Sequence, residues 1–141
     1  MVYVDTSVLV ALIVNEAISK AVAKWYAGTK AELVSAAWCV PEFASALGIK
    51  QRTGQLDAEQ ARQAWERFGR LAANDLKLLP VEAVDFHRAA VMTLNAESAL
   101  RAGDALHLAC AERAAAKGVA TLDAVMARNA QRLKIKPVAF A

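Results

Sequence analysis

The chain has 141 residues, 57% hydrophobic and 22% charged, with 17 basic side chains against 14 acidic ones for a formal charge of +3. That length suits one domain, which can bury about 68–70% of its unfolded surface without staples; Cys39 and Cys110, isolated among Ala, Val and Leu, exclude a disulfide framework or zinc cluster and read as reduced core thiols. The pI near 9.0 favours a polyanionic partner only mildly, and the longest early apolar run, Val8 to Val14, is too short to span a bilayer and follows no basic stretch, so a soluble, cytoplasmic protein is expected.

In chain order, Val2 to Val4 reads as a first strand, and Thr6 or Ser7 can cap a helix that turns Val8, Leu9, Leu12 and Ile13 inward. A second helix is expected over Ser19 to Tyr26 and a second strand over Leu33-Val34-Ser35. Pro41 suits a first helical turn, because its missing N–H costs nothing there, and the helix it opens carries Glu42 and runs to Gly54. Asp57 with Gln60 forms a capping-box pattern, after which Ala61, Ala64, Trp65, Phe68 and Leu71 keep helical spacing as far as Asn74-Asp75.

Leu76 to Leu79 reads as a third strand stopped by Pro80. Glu82 to Leu94 reads as a helix with Val84, Ala90, Val91 and Leu94 partly inward, and Gly103 breaks the chain just before the helix of Asp104. Lys117-Gly118 is the expected stop of that helix, Val119 to Leu122 a fourth strand, and Ala124 to Leu133 a last short helix before Ile135-Lys136-Pro137-Val138. There is no internal repeat, low-complexity tract or linker. Strands alternating with helices predict an α/β fold: a parallel sheet of four to five strands flanked by helices on both faces, as a single domain over 1–141.

The most informative feature is where this reading puts four acids. Asp5 and Asp123 follow strands; Glu42 and Asp104 stand where helices begin. In an open parallel sheet the crossover helices run antiparallel to the strands, so helix N-termini and strand C-termini share one edge. Each acid alone has a plainer role as an N-cap or as a partner of the helix dipole. Together they form a carboxylate cluster whose repulsion needs a cation to offset it. Oxygen ligands without Cys or His suit Mg²⁺ or Mn²⁺. His107, three residues after Asp104, can line the pocket, although a helical His is more often packed or solvated.

Val4-Asp5-Thr6-Ser7, Pro41-Glu42, Gly103-Asp104-Ala105-Leu106-His107 and Thr121-Leu122-Asp123 resemble the PIN domain family, in particular the VapC ribonuclease toxins of bacterial toxin–antitoxin pairs. The resemblance covers nearly the whole chain, with 37 residues from Asp5 to Glu42, 62 to Asp104 and 19 to Asp123, in the family's order. It implies an α/β/α fold and a Mg²⁺- or Mn²⁺-dependent endoribonuclease in which Asp5, Glu42, Asp104 and Asp123 hold the metal and carry catalysis. Water activated by the ion would cut RNA to leave a 5′-phosphate and a 3′-hydroxyl. Thr6, Ser7 and Thr121 fit the family's hydroxyl positions near the metal. One departure is Met126, where many relatives place an aromatic residue.

The same resemblance implies restraint by a small VapB-like antitoxin and a homodimer. The early helices, with Leu12, Ile13, Trp25 and Tyr26, could supply such a contact, although ordinary core burial is the plainer role for most of them. Lys50, Arg52, Arg62, Arg67, Arg70 and above all Arg101 could hold phosphates of RNA around the acids; as solvated helix faces they would do nothing of the kind. Trp25, Trp38 and Trp65 could stack on bases but are more simply core residues. Two other readings stand beside the nuclease: a PIN-like module that binds RNA or protein without cutting, and an aspartyl-phosphate phosphatase built on Asp5. The second lacks its expected acid two residues on, where Ser7 stands.

Overall fold

A computed structural model describes residues 1–140. Five strands, β1 (Val2–Val4), β2 (Leu33–Ala36), β3 (Lys77–Leu79), β4 (Gly118–Ala120) and β5 (Lys136–Pro137), form one all-parallel sheet in the order β3-β2-β1-β4-β5. Seven helices connect them: α1 (Thr6–Ile13), α2 (Ser19–Gly28), α3 (Cys39–Arg52), α4 (Ala58–Asn74), α5 (Ala83–Leu94), α6 (Ala102–Arg113) and α7 (Ala124–Arg132). The chain winds outward from β1 through β2 to β3, returns to β4 on the other side of β1, and ends at β5. The winding direction therefore reverses between β1 and β4, and it is outside the carboxyl ends of strands at such a switch point that α/β sheets bind ligands.

Alternation along the strands sorts the core into two layers. Tyr3, Val34, Ala36 and Val119 pack with α5, α6 and α7 on one face, while Val4, Leu33 and Ala120 pack with α1 to α4 on the other. Trp25 and Tyr26 are half-buried against the α1–α4 layer, as the core reading expects. Each layer holds one thiol, Cys39 in the first-helix layer and Cys110 in the other, both buried and free; burial pushes them up to about 11 and about 12 respectively. No helix among the described residues is long and apolar enough to cross a membrane.

Several local expectations are corrected. Helix α3 starts at Cys39, two residues before Pro41, with Pro41 inside its first turn. The α6 helix does not stop at Gly118, which lies in β4; it turns at Ala115, held at φ 56° while the Ala116 amide reaches back to the Ala111 carbonyl at 3.1 Å. Strand β4 ends at Ala120, because its partner β1 ends at Val4, so Thr121 and Leu122 lie beyond the ladder. The inward stripe of α5 is Asp85, Ala89 and Met92, leaving Val84, Ala90, Val91 and Leu94 outside. That face is fixed by Asp85, 1% exposed, whose carboxylate takes a bidentate pair from Arg113 at 2.8 and 2.9 Å and caps the Glu82 amide at 2.8 Å.

Candidate metal centre

Asp5 leaves β1 as the N-cap of α1, and every one of its bonds is local to the switch point. Its Oδ1 accepts from the Ser7 hydroxyl at 2.5 Å and the Val8 amide at 3.2 Å, and its Oδ2 accepts from the Thr121 hydroxyl at 2.5 Å. The hydroxyls are themselves held, Ser7 Oγ accepting from the Leu122 amide and Thr121 Oγ1 from the Asp123 amide. Burial dominates and raises the pKa of Asp5, against the opposing hydrogen bonds of Ser7 and Thr121.

Asp123 follows β4 and caps α7, its Oδ1 accepting from the amides of Val125 and Met126 at 2.8 and 3.1 Å. Met126, at the position of the expected aromatic, is fully buried in the α5–α7 layer and anchors that cap from below. Asp104 lies in the first turn of α6. Its pKa is raised first by burial and then by the charges of Asp123 and Asp5, with Glu42 adding to them. The charges of Asp5 and Asp123 thus act on Asp104.

Glu42, in the first turn of α3, is turned toward protein donors. Its Oε1 accepts from the Thr6 hydroxyl at 2.6 Å and forms a short contact with Nε2 of His107. Burial pushes this carboxyl up, but the hydrogen bond of His107, with help from Thr6, outweighs it and leaves the pKa lowered. Gly103 is the residue that lets α6 approach: a Cβ there would stand 3.2 Å from Glu42 Oε2 and 3.3 Å from Trp38 Nε1. Sequence reasoning underrated His107, whose partners lie in three other elements; no local pattern announces them.

Does this set suit a divalent cation? The donors are hard oxygens, they carry excess negative charge, and neither Asp104 nor Asp123 forms an ion pair among the described residues. The chemistry fits Mg²⁺ or Mn²⁺. As the side chains stand, no three His, Cys, Asp or Glu groups among the described residues are close enough together to hold one ion. In this arrangement Asp5 is bonded at both oxygens, and Glu42 directs Oε1 to His107 and Thr6.

The basic candidates divide. Arg101 is exposed as the N-cap of α6, and Arg52 is exposed at the end of α3. Lys50 pairs with Glu16 at 3.0 Å in a cleft of about 440 Å³ that also takes in Thr6, Ser7, Ile49 and Gln55. Arg62 is tied to Glu59 and Glu66 along α4, Arg67 donates to the Ile13 carbonyl at 3.0 Å, and Arg70 is exposed on the same helix. Trp65 stacks on Phe68, and Trp25 meets Phe140 edge-on, so both are engaged within the protein.

The sheet is doubly wound with acids on its switch-point edge, and the comparison of sequences gives the family: the PIN domain model matches residues 2–131, and the chain belongs to the PIN domain family. Solved structures share the fold. VapC20 of Mycobacterium tuberculosis, described as a sarcin–ricin-loop-cleaving toxin, superposes with a TM-score of 0.74 at 17% identity, covering 92% of this chain and 95% of that one. FitAcB of Neisseria gonorrhoeae gives 0.74 at 16% identity over 99% and 97%. FitAB bound to an IR36 DNA fragment gives 0.71 at 18% identity over 98% and 94%. No curated protein sequence matches the chain.

Proposed function

We propose that this protein is a Mg²⁺- or Mn²⁺-dependent endoribonuclease toxin of the VapC type, which hydrolyses RNA phosphodiester bonds, inhibits translation and growth, and is neutralised by a cognate antitoxin. The observation that carries the reading is the placement of four acids on the switch-point edge of the sheet: Asp5 and Asp123 cap the helices that follow β1 and β4, and Glu42 and Asp104 lie in the first turns of α3 and α6. Membership of the PIN family supports it, as do structural neighbours described as a toxin and as a FitAB complex.

Asp5, Glu42, Asp104 and Asp123 would hold the ion, which when bound supplies positive charge against phosphodiester oxygens and acidity to water. Ser7 and Thr121 keep Asp5 in a single rotamer, and Thr6 does the same for Glu42. Of the acids suited to accept a proton from the attacking water, Asp104 is favoured, since Glu42 Oε1 already accepts two hydrogen bonds and has its pKa lowered. Water, and not the ribose 2′-hydroxyl, is the nucleophile, so the products carry a 5′-phosphate and a 3′-hydroxyl.

Arg101, exposed as the N-cap of the helix of Asp104, and Lys50 in the cleft shared with Thr6 and Ser7 would hold flanking phosphates, with Arg52, at the far end of α3 from Glu42, reaching only more distant ones. A VapB-like antitoxin and a second copy of the chain are the partners; the apolar side chains that α5 leaves outside, Val84, Phe86, Val91 and Leu94, supply surface for such an assembly. The phosphatase reading loses support at Ser7, which serves Asp5 as a hydrogen-bond donor and brings no second carboxylate.

The test is cleavage of a mixed RNA pool by purified, antitoxin-free protein with Mg²⁺, Mn²⁺ or chelator, beside Asp104→Asn. Discrete 5′-phosphorylated fragments that need both metal and Asp104 are expected. Intact RNA despite demonstrated metal binding would favour the binding-only module.

A further inference from the structure

A chain of hydrogen bonds runs from the centre of the sheet to the site through three residues distant in sequence. Tyr3, on β1 and fully buried, accepts the Ala36 amide of β2 at 3.0 Å and stands 2.6 Å from Nδ1 of His107. His107, 1% exposed within the run of buried α6 residues Ala105 to Ala111, meets Glu42 Oε1 through Nε2, with the Thr6 hydroxyl 3.3 Å from the same nitrogen.

The direction of this chain follows from counting protons. A phenol has one O–H to give, and its oxygen is already taken on one side by the Ala36 amide. Nε2 faces the Glu42 carboxylate, which can only accept, so the neutral ring leaves Nδ1 without a proton and the Tyr3 O–H is directed at it. The ring proton then resides on Nε2, where it is donated to Glu42. The Tyr3 ring meets the imidazole edge-on, with centroids 5.7 Å apart at 70°, so packing fixes the ring as well as the bond.

We infer that His107 is the positioning residue for Glu42: held as the Nε2–H tautomer by Tyr3, it pins Oε1 together with Thr6 and leaves Oε2 as the oxygen available to a cation. Oε2 lies on the Gly103 side, at the start of the helix that carries Asp104. The indole N–H of Trp38 is on that same side and makes no hydrogen bond. A histidine present only to fill the core would need one partner for each nitrogen but no carboxylate from a neighbouring helix. Placement of a ligand by a hydrogen bond from outside the ligand set is how metal sites hold their geometry. The inference rests on the reading of Glu42 as an ion ligand; the tautomer does not.

The chain has two histidines, His87 and His107, so long-range ¹H–¹⁵N correlation on histidine-labelled, metal-free protein resolves the tautomer directly, with His87→Gln to assign it. The proton is expected on Nε2 of His107, and Tyr3→Phe is expected to release it to both nitrogens; a proton on Nδ1 in the wild type would overturn the relay. Mn²⁺ binding by calorimetry gives the second readout. His107→Leu is expected to weaken it about 10–100-fold, with His107→Gln, whose amide N–H can reach the same oxygen, restoring most of the loss at an unchanged Tm. Equal Mn²⁺ affinity in wild type and His107→Leu would overturn the positioning role and leave the nuclease reading standing. If the wild type binds no Mn²⁺, the nuclease reading and Glu42's ligand role fall together, and the nitrogen spectrum still decides the tautomer. Should the Leu variant not fold, Tyr3→Phe carries both measurements.

Discussion

Thr121 donates its hydroxyl to Asp5 at 2.5 Å across 116 positions of sequence, joining the residue after β1 to the one after β4. Thr121→Val keeps the shape and removes the donor, so a carboxylate oxygen in nearly complete burial loses its partner. The expected cost is about 1–3 kcal/mol. Because that donor lowers the pKa of Asp5, its loss raises it further. The destabilisation should be full where Asp5 is ionised and should shrink as pH falls and the carboxyl takes up a proton. Thermal melts of both proteins between pH 4 and pH 8 check the sign; an unchanged difference across that range would contradict it.

Asp104→Asn should stabilise the metal-free protein while abolishing cleavage. Burial and the charges of Asp123 and Asp5 penalise its ionised form, and the amide escapes that penalty. The gain is expected to be about 1 kcal/mol or less, in line with partly solvated charges. Mg²⁺ or Mn²⁺ should raise the Tm of the wild type and have less effect on the variant. A melting temperature indifferent to metal and chelator in both proteins would refute the ligand assignment.

Gly103→Ala places a methyl group 3.2 Å from Glu42 Oε2 and 3.3 Å from Trp38 Nε1, so both must give by a few tenths of an ångström. A gain in helix propensity of up to about 1 kcal/mol offsets the crowding. Stability should change little while Mn²⁺ affinity falls by about tenfold. Wild-type affinity in a folded Ala variant would show that Glu42 needs no such close approach.

Asp85 and Arg113 fix the face of α5, and Arg113, ahead of burial, holds the Asp85 carboxyl below its ordinary pKa. A depressed acid contributes stability that is present above its unfolded value near 3.9 and is lost as pH falls through the folded one. Arg113→Gln should therefore lower the Tm at pH 7, and the gap to wild type should close in acid. Circular dichroism melts at the two pH values measure it.

Ala115 turns the chain out of α6 at φ 56°, a conformation that favours glycine. Ala115→Gly relieves the Cβ there and costs some unfolded-state entropy, for an expected net gain of about 0.5 kcal/mol. Denaturant unfolding should show a higher midpoint with an unchanged slope.

Much of this was legible in the sequence, for identifiable reasons. Asp5 and Asp123 each follow an apolar run, and the geometry of parallel crossovers then places them with Glu42 and Asp104 on one edge. What escaped depends on partners far along the chain. The inward face of α5 is set by Arg113, 28 residues after Asp85, so the apolar spacing of Val84, Val91 and Leu94 pointed the wrong way. The stop of α6 lies at an alanine, where no residue type announces a left-handed turn. His107 is read correctly only once Tyr3, 104 positions earlier, is beside it.

The order of strands in the sheet also dictates when the acidic edge can exist during synthesis. β1 stands at the centre, yet one of its two neighbours, β4, is made only after β2, β3 and six helices. Until Thr121 and Asp123 have been made, Asp5 lacks its second hydroxyl partner and Asp104 lacks the charge of Asp123. A segment that stops before β4 lacks both Thr121 and Asp123, so the acidic edge is assembled only once β4 has docked beside β1.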